Sequence, residues 1–318
     1  MLLGIEIGGT KLQVGLGTES GGLIALERRI VVPEREASTI LGSIAEAVET
    51  LLSASNVSRS QVKGVGIGFG GPVDPLLGLV VESHQIRGWT GFKLCEWVKQ
   101  QLGFHQVILQ NDADTAGLGE ALMGSGRGFS PVFYVTIGSG IGGGLIVDGQ
   151  IYRGNGSGAI EIGHLWVYLR GELPKKLEHL ASGWAIGRRA QERLLNTLEF
   201  STLQDQEGGI GAITGAAVGD AAIAGDALAL DIIAQARNAM IQALGHSITL
   251  LAPQRIILGG GVSLLPVSLW LNPIREGLDE WVFPQFRSKF SVVSAELGEA
   301  VVIHGALVLA AQAARSNM

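Results

Sequence analysis

Short apolar runs separated by glycine-rich turns open this chain. Leu2–Ile7, Leu12–Leu16 and Leu23–Val32 are each long enough for a strand, and glycine or polar residues stand between them. The next segment, Ala37–Ser53, carries apolar residues three and four positions apart, a spacing that predicts an amphipathic helix. The pattern therefore predicts three successive strands followed by a helix.

Helical and strand patterns alternate beyond this point, which indicates an α/β layer. A strand–turn–strand pattern starts again at Val132, and a helix-rich stretch follows it. The further predicted strands are Gly64–Phe69, Val107–Gln110, Val132–Ile137, Gly143–Val147, Gln150–Tyr152, Arg255–Leu258 and Phe290–Val293, and the further helices are Phe92–Leu102, Ala113–Met123, Ala185–Leu195, Ala227–Leu251 and Val302–Ala314. We expect two α/β domains of related design, 1–116 with 302–318 and 117–301, with a ligand cleft between them.

Two glycine turns carry the clearest chemical signal. The first is Gly8–Lys11 and the second is Gly138–Gly140, and each stands between two predicted strands. Glycines allow a tight reversal and leave backbone N–H groups uncovered, an arrangement that suits an anionic phosphate. Hydroxyl groups at Thr10, Thr136 and Ser139 favour the same ligand, so the pair predicts one polyphosphate held from two sides.

The second glycine turn also matches a dinucleotide-binding fingerprint. Gly138–Gly143 has the G-x-G-x-x-G spacing, but that fingerprint requires a helix to follow. A strand pattern follows here, which disfavours a dehydrogenase.

Composition narrows the class of protein. The 318 residues are 47% hydrophobic and 16% charged, which is typical of a globular chain, and the net charge of −6 argues against binding to nucleic acid or to an anionic membrane. The single cysteine, Cys95, excludes an intramolecular disulfide and a multi-cysteine zinc site. No signal peptide precedes the first strand and no apolar run reaches the ~20 residues of a membrane span, so we expect a cytoplasmic protein without a membrane partner.

Asp112 is the candidate catalytic residue. It follows a predicted strand and opens a helix, where a carboxylate serves either as a helix cap or as a base facing a ligand. Phosphoryl transfer needs one base to orient the nucleophile, and Asp114 fits the cap role better.

Glu161 and His164 are candidate ligands of a sugar. They stand three residues apart and share a face if the segment forms a helical turn. A carboxylate and an imidazole suit vicinal hydroxyl groups, because each makes directional hydrogen bonds. A solvated acid and a structural histidine remain the alternative on spacing alone.

Taken in order, these segments resemble the ROK (repressor, ORF, kinase) family of sugar kinases. The motifs that carry the resemblance are Ile5–Lys11, Gly66–Asp74, Asn111–Ala113, the second glycine turn, Glu161–His164, Leu177–Glu178 and Leu258–Val262, and they cover nearly the whole chain. The resemblance implies a two-domain actin-like ATPase (ribonuclease H-like) fold that closes on ATP, Mg²⁺ and a hexose.

The resemblance also implies a role for each motif residue. Asp112 is the expected base, and Glu6 is the expected contact of a hydrated Mg²⁺. The expected sugar-binding residues are Gly71, Gln85, Asn111, Asp112, Glu161, His164 and Glu178. The expected nucleotide-binding residues are Glu6, Gly8, Gly9, Thr10, Lys11, Thr136, Gly138, Ser139, Gly140, Gly259 and Gly260.

The chain departs from the family pattern at four places. Glu6 stands where the family usually has Asp, Gln85 where it has Asn, and Ile160 where it has Gly. The cysteines that the family commonly carries between His164 and Glu178 are missing, so we expect no structural zinc and a histidine held by protein hydrogen bonds.

The resulting hypothesis is ATP-dependent phosphorylation of the 6-hydroxyl of glucose. A fructokinase and an N-acetylhexosamine or N-acetylmannosamine kinase are the alternatives within the class. From another class, the alternatives are a sugar-sensing repressor, which would carry a DNA-binding helix-turn-helix ahead of this segment, and a sugar-binding protein without catalysis, which the presence of Asp112 disfavours. Family members are often dimers or tetramers, so a homodimer is one expectation and the oligomeric state stays open.

Overall fold

The computed structural model describes residues 1–9, 11–19, 21–31, 36–82, 87–155, 160–196 and 200–315. The strands are β1 (Leu2–Ile7), β2 (Lys11–Gly17), β3 (Leu23–Ile30), β4 (Gly64–Phe69), β5 (Val73–Asp74), β6 (Leu79–Val80), β7 (Val107–Asn111), β8 (Val132–Ile137), β9 (Ile141–Val147), β10 (Gln150–Ile151), β11 (Trp166–Val167), β12 (Lys175–Lys176), β13 (Arg255–Gly259) and β14 (Ser291–Ser294). The helices are α1 (Ala37–Ala54), α2 (Leu94–Leu102), α3 (Asp112–Met123), α4 (Glu178–Ala181), α5 (Gly183–Asn196), α6 (Gly215–Ile223), α7 (Ala227–Leu251), α8 (Leu271–Trp281) and α9 (Val301–Arg315).

The chain divides into two compact units. Unit 1 contains Met1–Gly128, Gly144–Ala159 and Glu296–Met318, and unit 2 contains Phe129–Gly143 and Ile160–Ala295. This division differs from the predicted boundary after residue 116, which falls inside α3. A helix is one hydrogen-bonded unit, so the whole of α3 stays in unit 1.

A five-stranded sheet in the order β3-β2-β1-β4-β7 forms the centre of unit 1. The first three strands run antiparallel as a meander, whereas β1, β4 and β7 run parallel. All six side chains of β1 are buried, as expected for a parallel strand that is covered on both faces.

Helices cover the two faces of this sheet. On one face, Leu3 and Ile5 of β1 share an apolar core with Ile40, Ile44 and other residues of α1. On the other face, Leu2 packs with Ile303, Leu307 and Ala310 of α9. The alternation of side chains along a strand produces this division, because successive residues point to opposite faces.

Glycines in β4 allow α9 to approach the sheet closely. A side chain at Gly66 would collide with the carbonyl oxygen of Ala306, and one at Gly64 would collide with that of Ala310. The glycine-rich composition of β4 thus has a packing reason that its hydrophobic pattern alone does not show.

A second five-stranded sheet has the order β10-β9-β8-β13-β14. Within it, β13 runs parallel to both β8 and β14. The longest helix of the described chain, α7, lies in unit 2, and Asp226 caps it by accepting a hydrogen bond from the backbone N–H of Ala229 at 3.0 Å.

The predicted elements agree closely with the observed ones. β1, β4, β8 and α7 have their predicted bounds, and the other predicted elements are present with ends shifted by one or two residues. The sequence analysis did not predict α4, α6, α8 or the short strands β5, β6, β11 and β12.

Candidate active site

The carboxyl ends of three parallel strands bring the first group of candidate residues together in unit 1. Ile7, Phe69 and Asn111 stand in register across β1, β4 and β7. The residues that follow them are therefore neighbours. The backbone N–H of Gly70 donates to the carbonyl of Ile7 at 2.8 Å, and a β-carbon at Gly70 would lie 3.3 Å from Oδ2 of Asp112. Asp112 thus lies beside the glycine turn that follows β4.

The same neighbourhood includes the first glycine turn. A β-carbon at Gly70 would also lie 3.4 Å from the α-carbon of Gly8, and the N–H of Gly8 donates to the carbonyl of Lys11 at 2.9 Å. The backbone of Gly8 is not in the left-handed region, so its conformation is not what requires glycine at this position. Gly8, Gly9 and Lys11 therefore lie at the strand ends that carry Asp112, whereas the predicted contact Thr10 lies outside the described residues.

Asn111 caps α3 and so fixes the position of Asp112. Its side-chain oxygen accepts hydrogen bonds from the backbone N–H groups of Ala113 at 2.8 Å and Asp114 at 3.3 Å. Its amide nitrogen donates to the carbonyl of Gly71 at 3.1 Å. The prediction that Asp114 caps this helix was wrong. Asn111, three residues earlier, is the cap, and it accepts a hydrogen bond from the N–H of Asp114. Asn111 ties the β4 turn to the first turn of α3.

Glu6 is a buried carboxylate next to the candidate base. It is 4% exposed, and Lys11 lies across from it with 3.0 Å between its Nζ and Oε1 of Glu6. Burial raises the pKa of Glu6 from 4.5 to about 7; the Lys11 ammonium opposes this increase, and the negative charges of Asp112 and Glu299 add to it. Desolvation outweighs the ion pair here because the Lys11 side chain remains 43% exposed.

The second carboxylate oxygen of Glu6 suits a cation. This atom, Oε2, is buried and has no hydrogen-bond partner among the described residues. A buried polar atom without a partner is costly, and a divalent cation would satisfy it. Magnesium in phosphoryl-transfer sites is held by one or two carboxylates together with substrate phosphates. Glu6, with Asp112 close enough to influence its pKa, fits that donor set.

Unit 2 carries the second glycine turn, which is held by α4 and α5. Oε2 of Glu178 accepts a hydrogen bond from the N–H of Ile141 at 2.8 Å, and the N–H of Gly183 donates to the carbonyl of Gly138 at 2.8 Å. A β-carbon at Gly140 would lie 2.6 Å from the same oxygen of Glu178, so a larger residue here would displace that carboxylate. Glu178, predicted as a sugar contact, therefore also fixes the turn.

The predicted nucleotide-binding residues of unit 2 form one cluster. Gly259, at the end of β13, stands in register with Thr136 of β8. A β-carbon at Gly260 would lie 2.5 Å from the carbonyl oxygen of Ile137, directly before the second glycine turn. In that turn Ser139 is exposed, and a β-carbon at Gly138 would meet no atom within 4 Å. Thr136, Gly138, Ser139, Gly140, Gly259 and Gly260 thus lie around two adjacent strand ends.

Glu161 precedes a short turn of 3-10 helix, Ile162–His164, and His164 is its last residue, so the helical turn that their spacing predicted is present. Both side chains are exposed. The turn packs on the start of β9, because a β-carbon at Gly163 would collide with the carbonyl oxygen of Ile141. Since Glu178 bonds the N–H of Ile141, all three predicted sugar contacts of unit 2 adjoin one residue.

Two contacts near these residues were not predicted from the sequence. Nζ of Lys176 lies 3.0 Å from Nδ1 of His164. Glu172 accepts hydrogen bonds from Arg189 and Lys175, and these contacts, that of Arg189 foremost, lower its pKa from 4.5 to about 2. In the sequence these residues form a charged segment, and its pattern does not indicate which of the charged side chains contact each other. The predicted sugar contact Gln85 lies outside the described residues.

The described part of the chain contains no group of three or more His, Cys, Asp or Glu side chains arranged to hold a metal ion. Cys95 is buried in α2, where burial raises the pKa of its thiol to about 11. None of the described helices combines the length and apolar character that a bilayer span requires.

Comparison with known proteins decides the family. The family model described as "ROK family" matches residues 2–313. This chain belongs to the ROK family. A curated glucokinase from Halalkalibacterium halodurans is 30% identical, over 95% of this chain and 93% of its own length. A glucokinase from Thermotoga maritima is 31% identical, over 96% and 95%.

A solved structure extends this similarity to the fold. The ROK family glucokinase from Streptomyces griseus, crystallised in complex with glucose and AMPPNP, is 32% identical and superimposes with a TM-score of 0.82. The match covers 98% of this chain and 99% of that one. The ROK resemblance and the actin-like ATPase fold predicted from the sequence are thereby confirmed.

Proposed function

We propose that this chain is an ATP-dependent hexose kinase that phosphorylates the 6-hydroxyl of glucose. The sequence-based prediction of a sugar kinase is supported by relatives named as glucokinases along nearly their whole length. ATP as the phosphoryl donor is supported by the AMPPNP-bound relative. The observation in this chain that carries the proposal is the position of Asp112 at the strand ends, beside the turn of Gly70 and close to Gly8.

Asp112 is the proposed general base. Its carboxylate would accept the proton of the sugar hydroxyl as that oxygen attacks the γ-phosphorus, while the bond from phosphorus to the β-phosphate oxygen breaks and ADP leaves. One of its oxygens, Oδ1, accepts from the N–H of Ala113 at 2.8 Å, which fixes the carboxylate relative to α3. A base held in one orientation lowers the entropic cost of reaching the reactive geometry, and positioning of this kind is a large part of catalysis in phosphoryl transfer.

The two glycine turns are the proposed phosphate contacts. Their backbone N–H groups suit anionic oxygens, and Gly259 and Gly260 are proposed to lie against the adenosine. Glu6 is the residue that would hold Mg²⁺, which when bound neutralises charge on the transferring phosphoryl group. The segment between His164 and Glu178 contains no cysteine, so we propose that the protein works without a structural zinc.

Glu161, His164 and Glu178 are the proposed contacts of sugar hydroxyls in unit 2, with Gly71, Asn111 and Gln85 as those of unit 1. The structure modifies this assignment for two of them. The side-chain oxygen of Asn111 accepts hydrogen bonds from two backbone N–H groups, and its amide nitrogen donates one to the carbonyl of Gly71. Its expected contribution is therefore to position the β4 turn. Glu178 has one oxygen committed to Ile141, which leaves its other oxygen for a ligand.

A coupled assay over aldohexoses, ketohexoses and N-acetylhexosamines tests the proposal. We expect ATP-dependent turnover with the highest kcat/KM for glucose and a 6-phosphorylated product by NMR. Highest activity with fructose or N-acetylmannosamine would instead indicate a fructokinase or an N-acetylmannosamine kinase. No turnover with any of these sugars would contradict the kinase assignment.

Cytoplasmic location and a homodimeric assembly complete the proposal, and both rest on the family resemblance and the sequence. Light scattering of the purified protein measures the assembly directly. The acidic net charge supports the absence of a nucleic-acid partner, which a gel-shift assay with nonspecific DNA would test.

A further inference from the structure

A short antiparallel ladder places Lys176 beside His164. Trp166 of β11 pairs with Lys176 of β12, and the N–H of Leu177 donates to the carbonyl of Leu165 at 2.8 Å. These backbone bonds fix the strand that carries Lys176 next to the residues that directly follow His164. The half-buried side chain of Lys176 then reaches the imidazole, with 3.0 Å between Nζ and Nδ1.

This contact determines which imidazole nitrogen carries the proton. A lysine ammonium has three N–H donors and no acceptor, so the ring nitrogen that it contacts must be the acceptor. With Lys176 as the donor of this contact, the inferred form of His164 is the neutral tautomer that accepts at Nδ1 and carries its ring proton on Nε2. In this state His164 presents one N–H donor, in a direction set by the ladder.

The ladder also connects His164 to Glu178. Lys176 is followed by the fully buried Leu177 and then by Glu178, the first residue of α4. The loop between the two strands is anchored to α5, since Glu172 accepts hydrogen bonds from Arg189 of that helix. The chain is therefore held on both sides of Lys176, by the loop that precedes it and by Leu177 and α4 that follow it.

We propose that Lys176 is a positioning residue, which fixes His164 as an Nε2–H donor toward the sugar. The identity of the ligand as a sugar rests on the proposed function. The position of the ring proton on His164 does not depend on that function. Lys175 provides a matched control. It is the preceding residue of the same strand, its side chain pairs with Glu172, and successive side chains of a strand point to opposite faces.

The kinetic test compares Lys176→Met with Lys175→Met, using glucose and ATP. Loss of a charge-assisted hydrogen bond that orients a ligand contact should raise KM for glucose about 5- to 30-fold in Lys176→Met, with kcat changed less than about twofold. Lys175→Met should keep the wild-type KM, and Lys176→Arg, which keeps a cationic donor, should recover part of the loss. A wild-type KM in folded Lys176→Met would contradict the proposal.

A double-mutant cycle separates action through His164 from direct contact. In a His164→Ala background, Lys176→Met should cause no further increase in KM, because the group that it positions is absent. An equal increase in both backgrounds would show that Lys176 acts on the sugar itself or on the fold, and the proposal would be wrong.

A spectroscopic test does not depend on kinase activity. The ring ¹⁵N resonances of His164, assigned by their loss in His164→Ala, should show an unprotonated, hydrogen-bonded Nδ1 and a protonated Nε2 in the sugar-free protein. In Lys176→Met the Nδ1 resonance should move toward that of a nitrogen without a donor. A protonated Nδ1 in the wild-type protein would contradict the inference. If no sugar were phosphorylated, the proposed function would fail and this measurement alone would decide the state of His164.

Discussion

The free energy of unfolding should fall as the pH rises through the titration range of Glu6. Burial raises the pKa of this carboxyl from 4.5 to about 7, despite its contact with Lys11. Below pH 4.5 the glutamate is protonated in both states. Between that pH and about 7 the unfolded chain releases the proton while the folded chain retains it, so the folded state loses relative stability. The difference between the two pKa values corresponds to about 3 kcal/mol.

Denaturant unfolding of the wild-type protein and Glu6→Gln, without nucleotide or divalent ions, measures this effect. Glu6→Gln keeps a neutral group of similar shape, so its stability relative to wild type should increase by about 2–3 kcal/mol from about pH 5 to about pH 8. Lys11→Met should make the wild-type loss larger, because the ammonium of Lys11 opposes the rise in the pKa of Glu6. A difference between wild type and Glu6→Gln that does not change with pH would refute the reasoning.

Three further predictions concern stability. Ile160 has a φ of 63°, so Ile160→Gly should be more stable than Ile160→Ala by about 1 kcal/mol in thermal melts, and the usual order of Ala over Gly would contradict this strain. Gly66→Ala should lose at least about 3 kcal/mol because its β-carbon would meet the backbone of α9, whereas Gly42→Ala, on the open side of α1, should melt at or above the wild-type temperature. Arg189 lowers the pKa of Glu172 to about 2, so the pair should add about 1 kcal/mol to the free energy of unfolding above pH 4.5 and lose it as the pH falls toward 2. An Arg189→Met variant whose stability falls with acid as that of the wild type does would count against this prediction.

The sequence predicted the elements whose hydrophobic pattern is strong and long. β1 and β4 have their predicted bounds because each is a short, uninterrupted buried run that ends at a glycine turn, and α7 because its apolar residues recur at helical spacing. Helix α8 was missed, although Leu271, Ile274 and Leu278 are its buried residues, since Pro273 interrupts the pattern within its first turn. A proline is tolerated there because the first N–H groups of a helix have no partner within it.

The candidate site residues could be chosen from the sequence, whereas most of their contacts could not. Asp112 and the glycine turns follow apolar strands, so local patterns located them, and the register of the parallel strands then brought Asp112 next to Gly70. The bonds of Asn111 to Gly71 and of Glu178 to Ile141 join segments far apart in the sequence. No local pattern contains such pairs, because tertiary packing determines them.

The central claim is that Asp112 is the base of an ATP-dependent glucose kinase. The most direct test is the rate of glucose 6-phosphate formation, at saturating ATP and glucose, by the wild-type protein, Asp112→Asn and the control Asp114→Asn. Asn111 supplies the cap of α3 in all three, so the helix should stay intact. The account predicts that Asp112→Asn loses about 10²–10⁴ in kcat while Asp114→Asn stays close to wild type. An Asp112→Asn enzyme with more than about half of the wild-type rate would contradict it.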